Sequence, residues 1–177
     1  MSELFAALTD GAGHPSRWPV AIHVCSQAEA RRNGAQWAPT HIISIYGPDS
    51  RYLGLADFDQ SRHLHSRFED TADYLDPFAP SPAHIEEILA FIDALPTDAR
   101  LMIHCLTGRT RAAAVALGIL ARYLTADKAG QTVHRTFANA TPTPLVVALF
   151  DKVLGLDGKL IKVGRKFPSA GLRQAVA

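Results

Sequence analysis

Apolar residues occur in two short runs in the first third of the chain, and turn formers follow the second run. Residues 20–25 and 41–46 are rich in β-branched side chains, and the turn formers lie at residues 47–49. Runs of this length and composition predict buried strands. The stretch between them, residues 27–33, suits a short helix.

The middle of the chain is more polar, and its pattern is weaker. Residues 51–56 and 64–68 are strand candidates, although polar residues interrupt both. A polar, acidic loop follows over residues 69–80. Ser81 and Pro82 then supply an N-cap and a first-turn proline, so a helix is predicted to begin there.

Helical spacing dominates the second half of the chain. The helix that begins after Ser81 is predicted to run to about Leu95, because Pro96 ends it. Its apolar residues fall mainly on one face, and they are Ile85, Ile88, Leu89, Phe91, Ile92 and Leu95. Further helices are predicted over 127–139 and 144–154. Strands first and helices later predict an α/β fold, with a central mixed, mostly parallel sheet flanked by helices.

Length and composition favour one folded domain. The chain has 177 residues, of which 47% are hydrophobic and 20% charged, values typical of globular proteins. We therefore predict a single domain over residues 1–177, with a basic C-terminal tail from about residue 159 that is free to move.

Net charge and cysteine content limit the classes of binding partner and the cellular compartment that the sequence predicts. The formal net charge is +1, so no overall field favours nucleic acid. The first five residues do not follow the pattern of a secretion signal, so none is expected, and no apolar run approaches the roughly 20 residues of a membrane-spanning helix. Cys25 and Cys105 are too few for a disulfide framework, and the expected location is the cytoplasm. The sequence leaves the oligomeric state open.

A predicted strand–loop–helix junction carries the strongest candidate chemistry. The apolar strand 101–103 runs into His104 and Cys105, and a strong helix begins with residues 112–117. Consecutive backbone N–H groups in such a loop, together with the helix N terminus, form a cradle for phosphate. Gly108 lets the backbone turn within it.

Cys105 at the base of this cradle is predicted to be a nucleophile, since the same dipoles favour its thiolate form. Arg111 follows six residues later, and its planar guanidinium can hold two phosphoryl oxygens at once. Attack by sulfur would give a phosphocysteine that water then hydrolyses. An inert, buried strand-end cysteine is the alternative, but it does not account for the residues around Cys105.

The motif His104-Cys-x-x-Gly-x-x-Arg111 resembles the signature of the protein tyrosine phosphatase superfamily. Residues 68–71, the Pro-led helix and residues 154–158 also look like small bacterial tyrosine-phosphatase-like proteins, and the short length resembles compact dual-specificity phosphatases. The resemblance covers roughly residues 41–162. It implies a cysteine-phosphatase fold, no metal or cofactor, and a phosphorylated protein or small phosphorylated molecule as substrate.

The resemblance also implies roles for single residues. His104 would support the thiolate loop by hydrogen bonding, Cys105 would be the nucleophile and Arg111 the transition-state clamp. The substrate-binding loop would comprise Leu106, Thr107, Gly108, Arg109, Thr110 and Arg111.

In this family an aspartic acid on a separate loop protonates the leaving oxygen by general acid catalysis. The candidates here are Asp70, Asp73 and Asp76. The stretch Phe68-Glu69-Asp70 resembles the family arrangement most closely. We therefore predict Asp70 as the acid and keep Asp73 as its main competitor.

One position departs from the family pattern. A serine or threonine usually follows the arginine and assists the departing thiolate, whereas this chain has Ala112. Hydrolysis of the intermediate is then expected to be slow, unless Thr107 or Thr110 supplies a hydroxyl. A pseudoenzyme that binds phosphorylated residues without turnover stays open. So does another anion-handling cysteine enzyme, such as an arsenate reductase or sulfurtransferase, although Asp70 and the lack of a nearby resolving cysteine count against it.

Other residues have weaker functional interpretations. His63 and His65 lie on one face of a predicted strand and could hold a metal, but we expect plain strand residues and predict no metal site. Cys25 is predicted to pack in the core. Arg109 either favours multiply phosphorylated substrates such as inositol phosphates or lies at the solvent rim.

Overall fold

The computed structural model describes residues 2–5, 21–52, 55 and 57–168, and a five-stranded sheet forms its centre. The strands are β1 (Ser2–Phe5), β2 (Ala21–Ser26), β3 (His41–Tyr46), β4 (His63–Arg67) and β5 (Arg100–Cys105). They lie in the order β1-β2-β5-β3-β4. β1 pairs antiparallel with β2 at one edge, and all other neighbouring strands are parallel. The predicted mixed, mostly parallel sheet is confirmed.

Six α-helices occur within the described ranges. They are α1 (Gln27–Trp37), α2 (Pro82–Asp93), α3 (Arg111–Tyr123), α4 (Ala126–Thr136), α5 (Pro144–Leu154) and α6 (Lys159–Gly164). A short 3-10 helix at Gln60–Arg62 precedes β4. In this part of the chain no helix combines the length and apolar character needed to cross a membrane.

α1 begins where the sequence predicts and ends four residues later than expected. Ser26 caps its first turn, because the serine hydroxyl accepts from the Glu29 N–H and the Glu29 carboxylate accepts from the Ser26 N–H. This reciprocal capping box satisfies two donors that the helix start would leave unpaired. The helix ends at Trp37, and the C-cap residue Ala38 has a left-handed backbone with φ 52°. Trp37 is thereby buried against the sheet.

The sheet has a large core on one face and a small core on the other. The large core lies under α2 to α6, and α3 is its centre because residues 111–121 are all buried. Small side chains let neighbouring helices approach closely: Gly118 of α3 lies against the ring of Phe150 of α5. The small core lies under α1, and it contains Ala21, Cys25, Ala30, Trp37, Ile42 and Met102.

The strand predicted over residues 51–56 is absent from the described part of this stretch. Residues 51, 52 and 55 lie outside any strand, and the rest of the stretch lies outside the described residues. β3 and β4 are adjacent and parallel, so the chain between them must cross over one face of the sheet. A strand in this segment would have had to pair elsewhere.

The prediction that a C-terminal tail begins at about residue 159 is wrong, because residues 159–164 form α6. Leu160 and Val163 are buried in the large core. The buried carboxylate of Asp151 accepts hydrogen bonds from the backbone N–H groups of Gly158, Leu160 and Ile161. These bonds stabilise the first turn of the helix. Residues 169–177 lie outside the described residues.

Candidate active site

The candidate loop follows the central strand of the sheet. β5 ends at Cys105 and α3 begins at Arg111, so residues 106–110 connect the carboxyl end of a parallel strand to a helix N terminus. In open α/β sheets this edge is where ligands bind. Cys105 is buried, and its Sγ accepts a hydrogen bond from the backbone N–H of Gly108 at 3.2 Å. The loop therefore turns back over its own cysteine.

Gly108 is the residue that allows this turn. Its φ is 73°, a left-handed conformation that strongly favours glycine. A Cβ at this position would lie 2.5 Å from the carbonyl carbon of Cys25 and 2.7 Å from the amide nitrogen of Ser26. The loop is thus packed directly against the end of β2, and no side chain fits between them.

Arg111 is a buried arginine with hydrogen-bonding capacity to spare. Only 6% of the residue is exposed, and Nη1 donates to the carbonyl oxygen of Phe68 at 2.8 Å. Its Nε is also buried and has no partner in the described part of the chain. Buried donors are normally satisfied, and a guanidinium presents its N–H groups in a fork that matches an oxyanion. The arrangement fits a phosphoryl group over Cys105.

The acidic loop brings Asp70, rather than Asp73 or Asp76, into contact with the rest of the site. Oδ1 of Asp70 accepts a hydrogen bond from Oγ1 of Thr143 at 2.6 Å. Asp70 also lies two residues after Phe68, whose carbonyl is bound by Arg111. The carboxylates of Asp73 and Asp76 instead accept from backbone N–H groups two residues further along. Those two acids close local turns.

His104 belongs to a buried polar chain that sequence reasoning missed. Its Nε2 lies 2.7 Å from the hydroxyl of Ser44, which lies 2.7 Å from Nε2 of His63. The chain links β5, β3 and β4 directly behind the candidate loop. Burial lowers the pKa of His104 to about 4 and that of His63 to about 3, so both rings are neutral near pH 7. The available signal was a lone serine in the apolar run at 41–46.

Residues 139–143 lie beside the candidate loop and form a wall of the site. Nε of Arg109 donates to the carbonyl oxygen of Asn139, and the carbonyl of Arg109 accepts from the N–H of Thr141. Arg109 is therefore tied to this wall through backbone as well as side chain. Thr107 is exposed, and its hydroxyl accepts from the N–H of Arg109 within the loop. Ala112 is fully buried at the start of α3.

Cys25 lies close to Cys105 in the sheet but faces the other way. It belongs to the small core, as predicted, whereas Cys105 belongs to the large core. Side chains on opposite faces of a sheet point apart, and such cysteines cannot be bridged without backbone movement. Burial raises the pKa of Cys25 to about 12, so its thiol stays protonated.

His63 and His65 lie side by side on β4, with ring centroids 3.9 Å apart. The part of the chain that the structure describes contains no group of three or more His, Cys, Asp or Glu side chains arranged to hold a metal ion. Tyr52 packs edge-on against both rings. The two histidines thus contribute to an aromatic layer on the face of the sheet opposite the large core.

Comparison with known proteins gives matches only at the level of structure. The sequence matches no family model and no curated protein. Human DUSP28 superposes with a TM-score of 0.58 at 21% identity, over 76% of this chain and 92% of that chain. The human tyrosine phosphatase-like serine/threonine/tyrosine-interacting protein superposes with a TM-score of 0.62 at 17% identity, over 77% and 92%. DUSP15 gives 0.57 at 18% identity, over 84% and 94%. The chain therefore has the fold of the dual-specificity and tyrosine phosphatases.

Proposed function

We propose that this protein is a cysteine-dependent phosphatase that hydrolyses phosphate monoesters through a phosphocysteine on Cys105. The observation that carries the proposal is the buried guanidinium of Arg111, whose Nε has no partner in the described structure. It lies at the start of α3, directly after the loop that turns over Cys105. An oxyanion bound in that loop would satisfy the unpaired donor.

The proposed reaction has two steps. The Cys105 thiolate attacks phosphorus, the ester P–O bond breaks, and the carboxylic acid of Asp70 gives its proton to the leaving oxygen. Water then attacks the phosphocysteine, and the Asp70 carboxylate accepts a proton from it. The S–P bond breaks, releasing phosphate and restoring the thiolate. Arg111 and the loop N–H groups stabilise the charge on the phosphoryl oxygens in both steps.

The surface around the loop favours a phosphorylated protein side chain over an inositol phosphate. In the described ranges the exposed large apolar side chains are Tyr74, Leu75, Phe78 and Leu106. All four belong to the acidic loop or to the candidate loop, the two segments that carry the proposed proton donor and nucleophile loop. The acidic loop, residues 69–80, contains four acids and no Lys or Arg. A polyanion would be repelled there, whereas apolar and basic flanking residues would be attracted.

The neighbouring cleft supports the same choice. It has a volume of about 470 Å³ and is lined by both Arg109 and Glu29. Hydrogen bonds from Ser26 lower the pKa of Glu29, so this carboxylate is ionised at neutral pH. Arg109 therefore faces a cleft of mixed charge, which offers no dedicated place for a second phosphate.

A phosphoresidue-binding pseudophosphatase is the second candidate, and Ala112 is the observation that favours it. This position is completely buried and has no hydroxyl to assist the departing thiolate. Such a protein would keep the anion cradle and the Arg111 contacts but would hydrolyse its phosphocysteine slowly or not at all.

Hydrolysis of p-nitrophenyl phosphate in the presence of a chelator tests the proposal. We expect the wild-type protein to turn over and Cys105→Ser to be inactive. Asp70→Asn should be slower, by no more than the low end of the roughly 10²–10⁴-fold range of general acid catalysis, because p-nitrophenolate is a good leaving group. Asp73→Asn is the matched control, because Asp73 closes a local turn in the same loop, and it should retain most activity. Full activity of Cys105→Ser would refute the mechanism. An inactive wild type that binds vanadate tightly would favour the pseudophosphatase.

A further inference from the structure

We infer that Thr143 is a positioning residue that holds the proton donor Asp70 in place, an inference that rests on the proposed function. Oγ1 of Thr143 lies 2.6 Å from Oδ1 of Asp70. The two residues are 73 positions apart in the sequence. Thr143 is 4% exposed, whereas Asp70 is at the surface. A buried hydroxyl thus holds an otherwise exposed carboxyl group.

Thr143 lies at the start of α5. It is the N-cap residue, Pro144 follows it, and its carbonyl accepts from the N–H of Val147. An N-cap threonine normally uses its hydroxyl to accept from a backbone N–H of the first turn. Here the side chain makes no such capping bond. The hydroxyl is turned away from the helix that it would ordinarily stabilise and donates to Asp70.

The residues just before α5 are also bonded to the candidate loop. The N–H of Thr141 donates to the carbonyl of Arg109 at 2.8 Å. Arg111 in turn holds the residue directly before the acidic loop, through the carbonyl of Phe68. Thr143 therefore fixes Asp70 relative to a wall that is itself fixed to the loop carrying Cys105.

The bond also selects which carboxyl oxygen carries the proton. Oδ1 accepts from the Thr143 hydroxyl, so the transferable proton of the acid form resides on Oδ2. After Asp70 gives that proton to the leaving oxygen, the same bond holds the carboxylate while it accepts a proton from the attacking water. Without Thr143 the exposed side chain would sample other rotamers, and fewer of them would reach the leaving group.

A proton donor matters most when the leaving group is poor, and this gives the test. Rates are compared for phenyl phosphate, a poor leaving group, and p-nitrophenyl phosphate, a good one. We expect Thr143→Val to lower kcat on phenyl phosphate by about 10–100-fold, a fraction of the full general-acid effect, and to lower it much less on p-nitrophenyl phosphate. Thr143→Ser keeps a hydroxyl and should restore most of the lost rate.

Two controls separate positioning from a loss of structure. Thr132→Val removes a hydroxyl on α4 that donates to the Lys128 carbonyl, and it should leave the ratio of the two rates unchanged. In an Asp70→Asn background, Thr143→Val should cause no further loss, because residues that act as a unit are not additive. Equal losses on both substrates, no recovery with Thr143→Ser, or a further loss in the Asp70→Asn background would overturn the inference.

The same data distinguish this failure from failure of the proposed function. If the wild type shows hydrolysis that depends on Asp70 and Thr143→Val behaves like the wild type, only the role of Thr143 is refuted. If wild type and Asp70→Asn hydrolyse neither substrate, no proton donor exists for Thr143 to position, and both proposals are refuted together.

Discussion

Replacing Gly108 with alanine tests whether the candidate loop is packed against the end of β2. Gly108 has φ 73°, and its Cβ would lie 2.5 Å from the carbonyl carbon of Cys25 and 2.7 Å from the amide nitrogen of Ser26. Both neighbours are backbone atoms. No side-chain rotation can relieve the contact, so either the loop or the strand end must move.

The expected loss in free energy of unfolding is the sum of two contributions. A left-handed backbone costs an L-residue about 1–2 kcal/mol, and overpacking a close contact adds about 1–3 kcal/mol. Gly108→Ala is therefore expected to lower the free energy of unfolding by about 2–5 kcal/mol. Gly155→Ala is the matched control, because Gly155 has φ 64° and its Cβ would meet nothing within 4 Å. Only the first term, about 1–2 kcal/mol, applies to the control.

Urea unfolding of both variants measures these losses by linear extrapolation. Hydrolysis of p-nitrophenyl phosphate provides a second measurement. Gly108→Ala should lose activity because its N–H moves away from Sγ of Cys105, to which it donates, whereas Gly155→Ala should keep its activity. Equal losses of stability in the two variants, with hydrolysis unchanged in both, would refute the packing of the loop against β2.

Three further predictions concern other parts of the site and the core. Ala112→Ser adds a hydroxyl after Arg111 and should speed breakdown of the phosphoenzyme in rapid-quench kinetics; an unchanged rate would contradict the role assigned to the missing hydroxyl. Asp151→Asn should lower the free energy of unfolding by about 2 kcal/mol, because both carboxylate oxygens accept N–H groups. The control Asp127→Asn, on an exposed ion pair, should change it by less than about 0.5 kcal/mol, and equal effects would refute the capping of α6. Burial lowers the pKa of His63 to about 3 and that of His104 to about 4. As the pH falls, these two rings are therefore protonated in the unfolded chain before they are protonated in the folded protein. The urea midpoint should fall as the pH drops from about 6.5 through 4, less steeply in His63→Gln, and an identical slope in both proteins would argue against buried neutral rings.

Local sequence patterns were sufficient for several of the elements that surround the site. The bounds of β3 and α5 match the predicted ranges residue for residue. The start of α2 at Pro82 also matches. These elements have continuous apolar runs, a serine cap or a helix-starting proline, all of which act within a few residues. Interactions between residues close in sequence therefore determine the bounds of these elements.

Contacts between distant parts of the chain could not be predicted in this way. The bond from Thr143 to Asp70 joins residues 73 apart, and the bond from His104 to Ser44 joins residues 60 apart. The sequence around Ser44 or His104 does not indicate that the two residues will pair, because this contact depends on the order of the strands in the sheet. β5 lies between β2 and β3, and only that order brings Ser44 beside His104.

The start of the C-terminal tail was mispredicted for a related reason. α6 spans only six residues, too few to show a helical period, and its stability comes from the Asp151 carboxylate and from burial of Leu160. Isolated helices of this length do not form in water. The tertiary contacts that create the helix were invisible in a sequence where Leu160, Ile161 and Val163 are interspersed with lysine and glycine.

Acid-quench trapping of a covalent intermediate tests the central claim most directly. The wild-type protein is mixed with p-nitrophenyl phosphate, quenched within the first turnover, and analysed by mass spectrometry of its proteolytic peptides. We predict one added phosphoryl group on the peptide that contains Cys105 and none on the peptide that contains Cys25. Active hydrolysis with no phosphoryl group on Cys105, or with the group on another residue, would contradict the account.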